Sequence, residues 1–186
     1  MATKIYIDQG HNPQNPNAGA EGNGYREQDL TYRIGVELAD ILRAEGYDVR
    51  LSRPTAETQL GTSNAGSLAA RVNEANAWDA DYFVSLHANA STIPSASGSE
   101  ALVYRVDSTA GRLGESILRY LSEATGLPNR GVTPRTNLYV QRRTRMPAVL
   151  VELGFITNPD DAALMANSPQ LFALGVANGI TAFVAP

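Results

Sequence analysis

The stretch Ile5-Tyr6-Ile7-Asp8-Gln9-Gly10-His11 joins a short apolar run to a histidine. A second run, Tyr82-Phe83-Val84-Ser85-Leu86-His87, has the same form and ends on the other of the two histidines in the chain. Short, nearly continuous apolar runs are typical of strands that are covered on both faces of a sheet. In an open α/β sheet, ligands bind outside the carboxyl ends of the strands. We therefore expect both histidines to lie at one site.

Five such strands are predicted, and helical patterns lie between them. The strands cover residues 4–8, 48–52, 82–87, 100–106 and 149–153. The helical patterns are apolar residues at spacings of three and four, within 30–42, 68–75, 113–124 and 172–183. This alternation predicts an α/β fold with a mostly parallel, twisted sheet and helices on both faces. A length of 186 residues suits a single domain over 1–186.

The composition excludes several classes of protein and of site. The chain has no cysteine, so a transition metal would be held by histidine and carboxylate side chains. The net charge is −4, and no basic run is longer than Arg142-Arg143, which argues against a nucleic-acid-binding protein. No apolar run approaches the roughly 20 residues of a membrane-spanning helix. The first residues lead directly into a strand, so no signal peptide is expected.

Two histidines and one carboxylate are a ligand set of catalytic zinc centres, which keep a fourth position open. Glu27 begins the first predicted helix and can reach the strand ends that carry His11 and His87, while Asp29 and Glu21 are fallback ligands. Each residue also has a simpler interpretation. A histidine after a strand often makes a hydrogen bond in a turn, and a glutamate in the first turn of a helix interacts favourably with the helix dipole.

Glu152 interrupts an otherwise apolar run, Val149-Leu150-Val151-Glu152-Leu153-Gly154-Phe155. A buried carboxylate without a partner is costly, so such a group is paired, protonated or catalytic. The functional interpretation is a general base beside the metal, and the structural alternative is a buried salt bridge with one of the nearby arginines, Arg142, Arg143 or Arg145. Asn89 follows His87 by two residues and is a candidate for substrate binding or for capping the next loop.

Several motifs, taken in this order, resemble the zinc-dependent N-acetylmuramoyl-L-alanine amidases of bacteria and phages. They are the segment ending at His11, then Gly19-Ala20-Glu21-Gly22, Arg26-Glu27-Gln28-Asp29-Leu30, Ala69-Ala70-Arg71-Val72-Asn73-Glu74-Ala75-Asn76, Val84-Ser85-Leu86-His87-Ala88-Asn89-Ala90, Arg130-Gly131-Val132 and Met146-Pro147-Ala148-Val149-Leu150-Val151-Glu152-Leu153-Gly154-Phe155. The resemblance implies that His11, Glu27 and His87 bind one Zn²⁺ per chain and that Glu152 is the catalytic carboxylate. It also implies cleavage of the amide between N-acetylmuramic acid and L-alanine in peptidoglycan. Gln9 departs from the family pattern, which usually has proline before Gly-His.

The resemblance also sets expectations about partners and location. The substrate would be peptidoglycan, and the loops at 12–25 and 53–66 are the expected walls of its groove. Many family members have a separate wall-binding module, and none fits within these residues. The protein would act on the cell wall, after release by lysis or a phage route, or as an excised domain. Two other functions stay open: a zinc carboxypeptidase or other amide hydrolase, in which Arg71 or Arg145 would hold a terminal carboxylate, and a wall-binding module without catalytic activity.

Overall fold

The computed structural model describes residues 2–185 and contains one six-stranded sheet, one two-stranded hairpin and six helices in that part of the chain. The elements in chain order are β1 (Lys4–Gln9), β2 (Glu21–Gly22), β3 (Tyr25–Arg26), α1 (Glu27–Ala44), β4 (Asp48–Leu51), α2 (Asn64–Ala77), β5 (Tyr82–Asn89), β6 (Ser99–Val103), α3 (Thr109–Thr125), β7 (Asn129–Pro134), α4 (Tyr139–Arg143), β8 (Ala148–Phe155), α5 (Pro159–Asn167) and α6 (Pro169–Val184). No helix in residues 2–185 is both long enough and apolar enough to cross a membrane.

The main sheet has the strand order β4-β1-β5-β8-β6-β7. The first four strands in this order are mutually parallel, whereas β6 is antiparallel to β8, and β7 is parallel to β6. The predicted α/β fold with a mostly parallel sheet is therefore confirmed. The five predicted strands and four predicted helices all exist, although β6 ends at Val103 instead of extending to residue 106.

Five elements, three strands and two helices, were not predicted from the sequence. The edge strand β7 has one aliphatic residue, Val132, in six positions, so it carries no apolar run. The hairpin of β2 and β3 has only two residues in each strand, and all of it except Arg26 lies within the segment 12–25, which was expected to be irregular. The helices α4 and α5 have five and nine residues, too few for a clear helical repeat.

Side chains alternate between the two faces of the sheet, and the two faces are covered differently. One face carries Ile5, Ile7, Val84, Leu86 and Val151, and we call it the apolar face. It packs against α1, α3 and α6. What we call the site face carries Tyr6, Phe83 and Ala148, which pack against Val72 and Ala75 of α2 and Val140 of α4. Helices thus lie on both faces, as predicted, but α2 and α4 cover only part of the site face.

Candidate active site

The side chains of His11, Glu27 and His87 meet at the carboxyl ends of β1 and β5. The Oε1 atom of Glu27 lies 3.1 Å from Nε2 of His11 and 3.0 Å from Nδ1 of His87. One ligand atom from each residue lies within 4.8 Å of the others, and these three form a cluster able to hold a metal ion. The ligands of a tetrahedral zinc ion stand about 3.3 Å apart, since each lies 2.0–2.2 Å from the metal. The donor types, and the two glutamate–histidine distances of 3.1 and 3.0 Å, therefore fit zinc.

Two glycines, Gly10 and Gly19, leave room for the His87 and Glu27 side chains to come together. A Cβ atom at Gly10 would lie 2.6 Å from the ring of His87, and one at Gly19 would lie 2.8 Å from Glu27. Glu27 is buried as the first residue of α1, where its carboxylate accepts hydrogen bonds from the backbone N–H groups of Ala20 at 2.9 Å and Ala88 at 3.0 Å. The simpler interpretation of Glu27, as a helix-dipole carboxylate alone, does not account for these contacts.

Electrostatics favour the ionised form of Glu27. Burial by itself would raise the pKa of Glu27, but hydrogen bonds and charge interactions with His11 and His87 outweigh burial and hold the pKa below its ordinary value. A carboxylate that remains ionised is the form that binds a cation.

A buried ion pair lies directly beneath this cluster on the site face. Arg71 of α2 is 1% exposed, and its Nη1 atom donates to Oδ1 of Asp8 on β1 at 2.6 Å. The same guanidinium donates to the backbone carbonyls of Gln9 at 2.7 Å and His11 at 2.7 Å. His11 has a φ of 68°, a left-handed conformation that non-glycine residues rarely adopt. Arg71 therefore stabilises an uncommon backbone conformation at one of the clustered histidines.

Glu152 lies on β8 beside His87, since the two residues are paired in the parallel register of β5 and β8. Within residues 2–185, its Oε2 atom is shielded from solvent and has no hydrogen-bond partner, and its carboxylate has no basic partner within 4.0 Å. The structural alternative, a salt bridge with Arg142, Arg143 or Arg145, is therefore wrong for this structure.

The environment of Glu152 brings its pKa close to neutral pH. The pKa of Glu152 is raised to about 7, mainly by burial; His87 lowers it, and the charges of Glu27 and Glu100 raise it. A carboxyl group with a pKa near the working pH is suited to taking up and releasing a proton.

A cavity of about 140 Å³ borders the histidines on the site face. Its lining is mostly apolar and includes Leu68 of α2, Tyr139 and Val140 of α4, and Leu150 of β8. Since α2 and α4 leave this space open, a small apolar group has room next to His11 and His87.

The remaining sequence candidates occupy other positions. The fallback ligands Glu21 and Asp29 are exposed and lie near Arg26, with N–O distances of 3.8 and 3.6 Å, outside the cluster. The side-chain oxygen of Asn89 accepts the backbone N–H of the next residue, Ala90, at 2.9 Å, and a contact with substrate stays a prediction. Arg71 is fully engaged by Asp8 and backbone carbonyls, so it is not free to hold a substrate carboxylate.

Sequence reasoning missed the Asp8–Arg71 pair as part of the site. Asp8 lies within an apolar strand just as Glu152 does, so the signal that identified Glu152 was also present for Asp8. The location of Arg71 on α2, 63 residues away, gave no indication that the two side chains meet.

Comparison with known proteins adds to this geometry. A family model described as N-acetylmuramoyl-L-alanine amidase matches residues 5–182. The chain belongs to this amidase family. The resemblance identified from the sequence motifs is thereby confirmed, and it places the chain among peptidoglycan amidases.

Individual relatives agree with the family model. The sporulation-specific N-acetylmuramoyl-L-alanine amidase of Bacillus subtilis is 36% identical over 95% of this chain and 66% of its own length. The endolysin of Bacillus phage SPP1 is 33% identical over 97% of this chain and 65% of its own length. The chain thus spans about two thirds of these two relatives. Among solved structures, the catalytic domain of the amidase CwlV from Bacillus (Paenibacillus) polymyxa var. colistinus has a TM-score of 0.85 at 30% identity, with 98% of each chain covered.

Proposed function

We propose that this amidase is a zinc-dependent hydrolase that cleaves the amide between N-acetylmuramic acid and L-alanine in peptidoglycan. His11, Glu27 and His87 would hold one zinc ion per chain, and Glu152 would be the catalytic acid–base residue. The observation that carries the proposal is the convergence of three zinc-type donors within 4.8 Å, beside an unpartnered carboxylate on the neighbouring strand.

Zinc bound by the three side chains would polarise the scissile carbonyl group and make a water more acidic. Hydrogen bonds within the protein hold the ligand residues in position. Glu27 is held by two backbone N–H groups, and Arg71 fixes the carbonyl of His11, so two of the three ligands are fixed before metal arrives. Such fixed positions reduce the reorganisation needed when the metal binds.

Glu152 would move the proton. Its carboxylate takes a proton from the attacking water while the water oxygen adds to the amide carbon. It then gives that proton to the alanine nitrogen as the carbon–nitrogen bond breaks, and the products are a carboxylic acid and a free amine. A pKa near 7 suits both halves of this transfer.

Substrate would lie across the carboxyl ends of the strands. The cavity of about 140 Å³ has room for the small methyl groups on either side of the scissile amide. The loops at 12–25 and 53–66, together with Arg26, line a depression of about 630 Å³ that includes Gln14 and Gln59. Asn12 ties these loops together, because its side chain donates to the carbonyls of Pro16 and Leu60. The protein would act on the cell wall.

The test uses purified peptidoglycan and the wild-type protein. We expect near-stoichiometric zinc by elemental analysis, release of peptides with N-terminal alanine, loss of this release after chelation, and its return with zinc. Full activity in a metal-free preparation would contradict the zinc proposal. Release of free amino acids from peptides, without cleavage of peptidoglycan, would favour the carboxypeptidase alternative, and binding to walls without cleavage would favour a wall-binding module.

A further inference from the structure

The exposed arginines of the chain are unevenly distributed. Residues 104–145 contain eight arginines and three acids, a net charge of +5, whereas the rest of the chain contains seven basic and sixteen acidic residues, a net charge of −9. An uneven charge of this kind indicates a surface for an anionic partner even though the whole protein is acidic.

Five of these arginines lie around the ends of β6 and β7, on α4 and just after α4. Arg143 lies 5.9 Å from the ring of Tyr139, which also lines the cavity beside the histidines. We call Arg105, Arg135, Arg142, Arg143 and Arg145 the arginine patch; all five are exposed. β6 is antiparallel to β8 and β7 is parallel to β6, so both strands end level with the first residues of β8 and β5, at the opposite end of the sheet from His87. Arg105 follows the end of β6, and Arg135 follows the end of β7.

Hydrogen bonds bring the members of the patch together. The backbone N–H of Arg135 donates to the carbonyl of Val103 at 2.7 Å, which joins the ends of β6 and β7. The side chain of Gln141 on α4 donates to the carbonyl of Leu102, which fixes α4 against the same end of β6.

Arg143 and Arg145 are fixed to this same end of the sheet through α2. Asn76 binds the carbonyl of Arg143 at 2.9 Å and the backbone N–H of Arg145 at 2.9 Å. All five arginines thus surround one end of the sheet.

Carboxylates do not neutralise the patch. Within residues 2–185, none of its five guanidinium groups lies within 4.0 Å of a carboxylate, whereas Arg26, Arg43, Arg71 and Arg119 each have at least one such partner. Of the three acids in the segment 104–145, Glu123 pairs with Arg119 and Glu115 lies on α3, which covers the apolar face. Asp107 is the one acid close in sequence to a patch member.

The patch also includes an exposed aromatic side chain. Tyr104 is 46% exposed and, with Gln141 and Arg142, lines a shallow depression of about 370 Å³. Tyrosine and arginine are enriched in interfaces, where the ring offers a flat apolar face and the guanidinium binds carboxylate in a bidentate manner. A partner with sugar rings and repeated carboxylates therefore matches this surface.

We infer that the arginine patch is a second contact site for peptidoglycan, which binds the carboxylates of stem peptides at a distance from the bond that is cleaved. The inference rests on the proposed function for the identity of the polymer. A second contact on a polymeric substrate raises the effective concentration of the first, so the patch should promote cleavage of intact sacculi but not of a small muropeptide.

The direct test is cosedimentation of the protein with intact sacculi in the presence of a chelator, so that binding is measured without cleavage. We expect R105Q/R135Q/R142Q to bind about tenfold more weakly than the wild type, since each exposed contact contributes modestly. The matched control R43Q/R112Q/R119Q removes the same charge elsewhere and should bind like the wild type. Equal binding of all three proteins, or equal loss in the control, would overturn the inference.

Two further measurements on the same proteins separate the inference from the proposed function. On a soluble muropeptide, the patch variant should keep the kcat and KM of the wild type, whereas on sacculi its KM should rise. Absence of muropeptide cleavage by the wild type would refute the proposed function and leave the binding test valid.

The wild type alone gives a test that does not depend on the folding of any variant. Without the patch, an acidic protein and an anionic wall repel each other, so added salt would strengthen binding. We expect the opposite, weaker binding with added salt and competition by poly-L-glutamate. Binding that strengthens with salt would overturn the inference.

Discussion

The two faces of the main sheet in this amidase differ in the side chains they carry. On the apolar face, alternate residues of β1, β5 and β8 pack against three long helices, and this packing continues to the ends of the strands. On the site face, the same strands begin with Tyr6, Phe83 and Ala148 but continue with polar residues, Asp8, Ser85 and Glu152. At Asp8 this face is still covered by α2, but through the buried guanidinium of Arg71 instead of apolar side chains.

The site face itself contains two acids in opposite states. Asp8 accepts hydrogen bonds from Arg71 at 2.6 Å and Ser85 at 2.7 Å, whereas the Oε2 atom of Glu152 has no partner within residues 2–185. The paired acid supports the fold, and the unpartnered acid is available for chemistry. The comparison teaches that burial alone does not define a catalytic carboxylate, because partners decide its role.

The largest expected effect is on turnover, from Glu152→Gln. Glutamine keeps the shape of the side chain but cannot take up the proton, so turnover on peptidoglycan should fall about 10³–10⁴-fold. Melting temperature and zinc content should stay at or above those of the wild type, because no ion pair is lost. Glu115→Gln on α3 is the control. A folded, zinc-loaded Glu152→Gln protein with normal turnover would show that the base is another residue.

A large effect on stability alone is expected from the apolar face. Phe172 on α6 is fully buried, and Phe172→Ala should reduce the free energy of unfolding by about 3–5 kcal/mol in urea titrations. Activity per folded molecule should change little, because α6 packs on the face opposite the site. Leu174→Ala on the same helix, at an exposed position, should cost far less. Loss of turnover in folded Phe172→Ala would contradict the separation of the two faces.

Replacement of Asp8, which lies on the site face, should reduce the free energy of unfolding. Asp8→Asn leaves the buried cation of Arg71 uncompensated and should cost about 3 kcal/mol, with weaker zinc binding because Arg71 also fixes His11. Asp48→Asn, at an exposed position on β4, is the control and should have little effect.

The loss of stability in Asp8→Asn should depend on pH, because the Asp8–Arg71 ion pair requires an ionised Asp8. Burial would raise the pKa of Asp8, but Arg71 and Ser85 lower it below the ordinary 3.8. The stabilisation is thus present above pH 3.8 and is lost as pH falls through the lower folded-state pKa. The difference between wild type and Asp8→Asn should shrink in that acidic range. A difference that stays constant there would contradict the pairing.

Zinc itself should stabilise the protein, since binding to the folded state alone adds stability by mass action. A free zinc concentration of 100 times Kd would add about 2.7 kcal/mol and raise Tm in a calorimetric scan. His11→Ala and His87→Ala should lose most of this increase. If zinc leaves the Tm of the wild type unchanged, the three residues do not form a preformed metal site.

The smallest expected effect is at Asn89, which lies at the end of β5 beside the site. Asn89→Ala should raise KM for peptidoglycan a few-fold, about the cost of one hydrogen bond. Asn73→Ala, exposed on α2, is the matched control and should leave KM unchanged. An equal KM in Asn89→Ala and wild type would leave Asn89 with the capping role alone.

The sequence by itself determined the fold class and drew attention to His11, Glu27, His87 and Glu152. Short apolar runs alternating with helical repeats are local signals, and histidines or acids next to such runs are conspicuous against their neighbours. The same local signals were weak at β7, with its single aliphatic residue, and at the short helices α4 and α5.

Only the tertiary structure decided which groups are partners. Glu27 and His87 are 60 residues apart, and Asp8 and Arg71 are 63 apart, so no local pattern could pair them. The structure also removed one alternative, because Glu152 has no arginine partner within residues 2–185. It narrowed another, because Arg71 is occupied by Asp8 and only Arg145 is left to hold a terminal carboxylate. Pairing of charges depends on distances across the fold, whereas the tendency to form a strand or helix depends on neighbours along the chain.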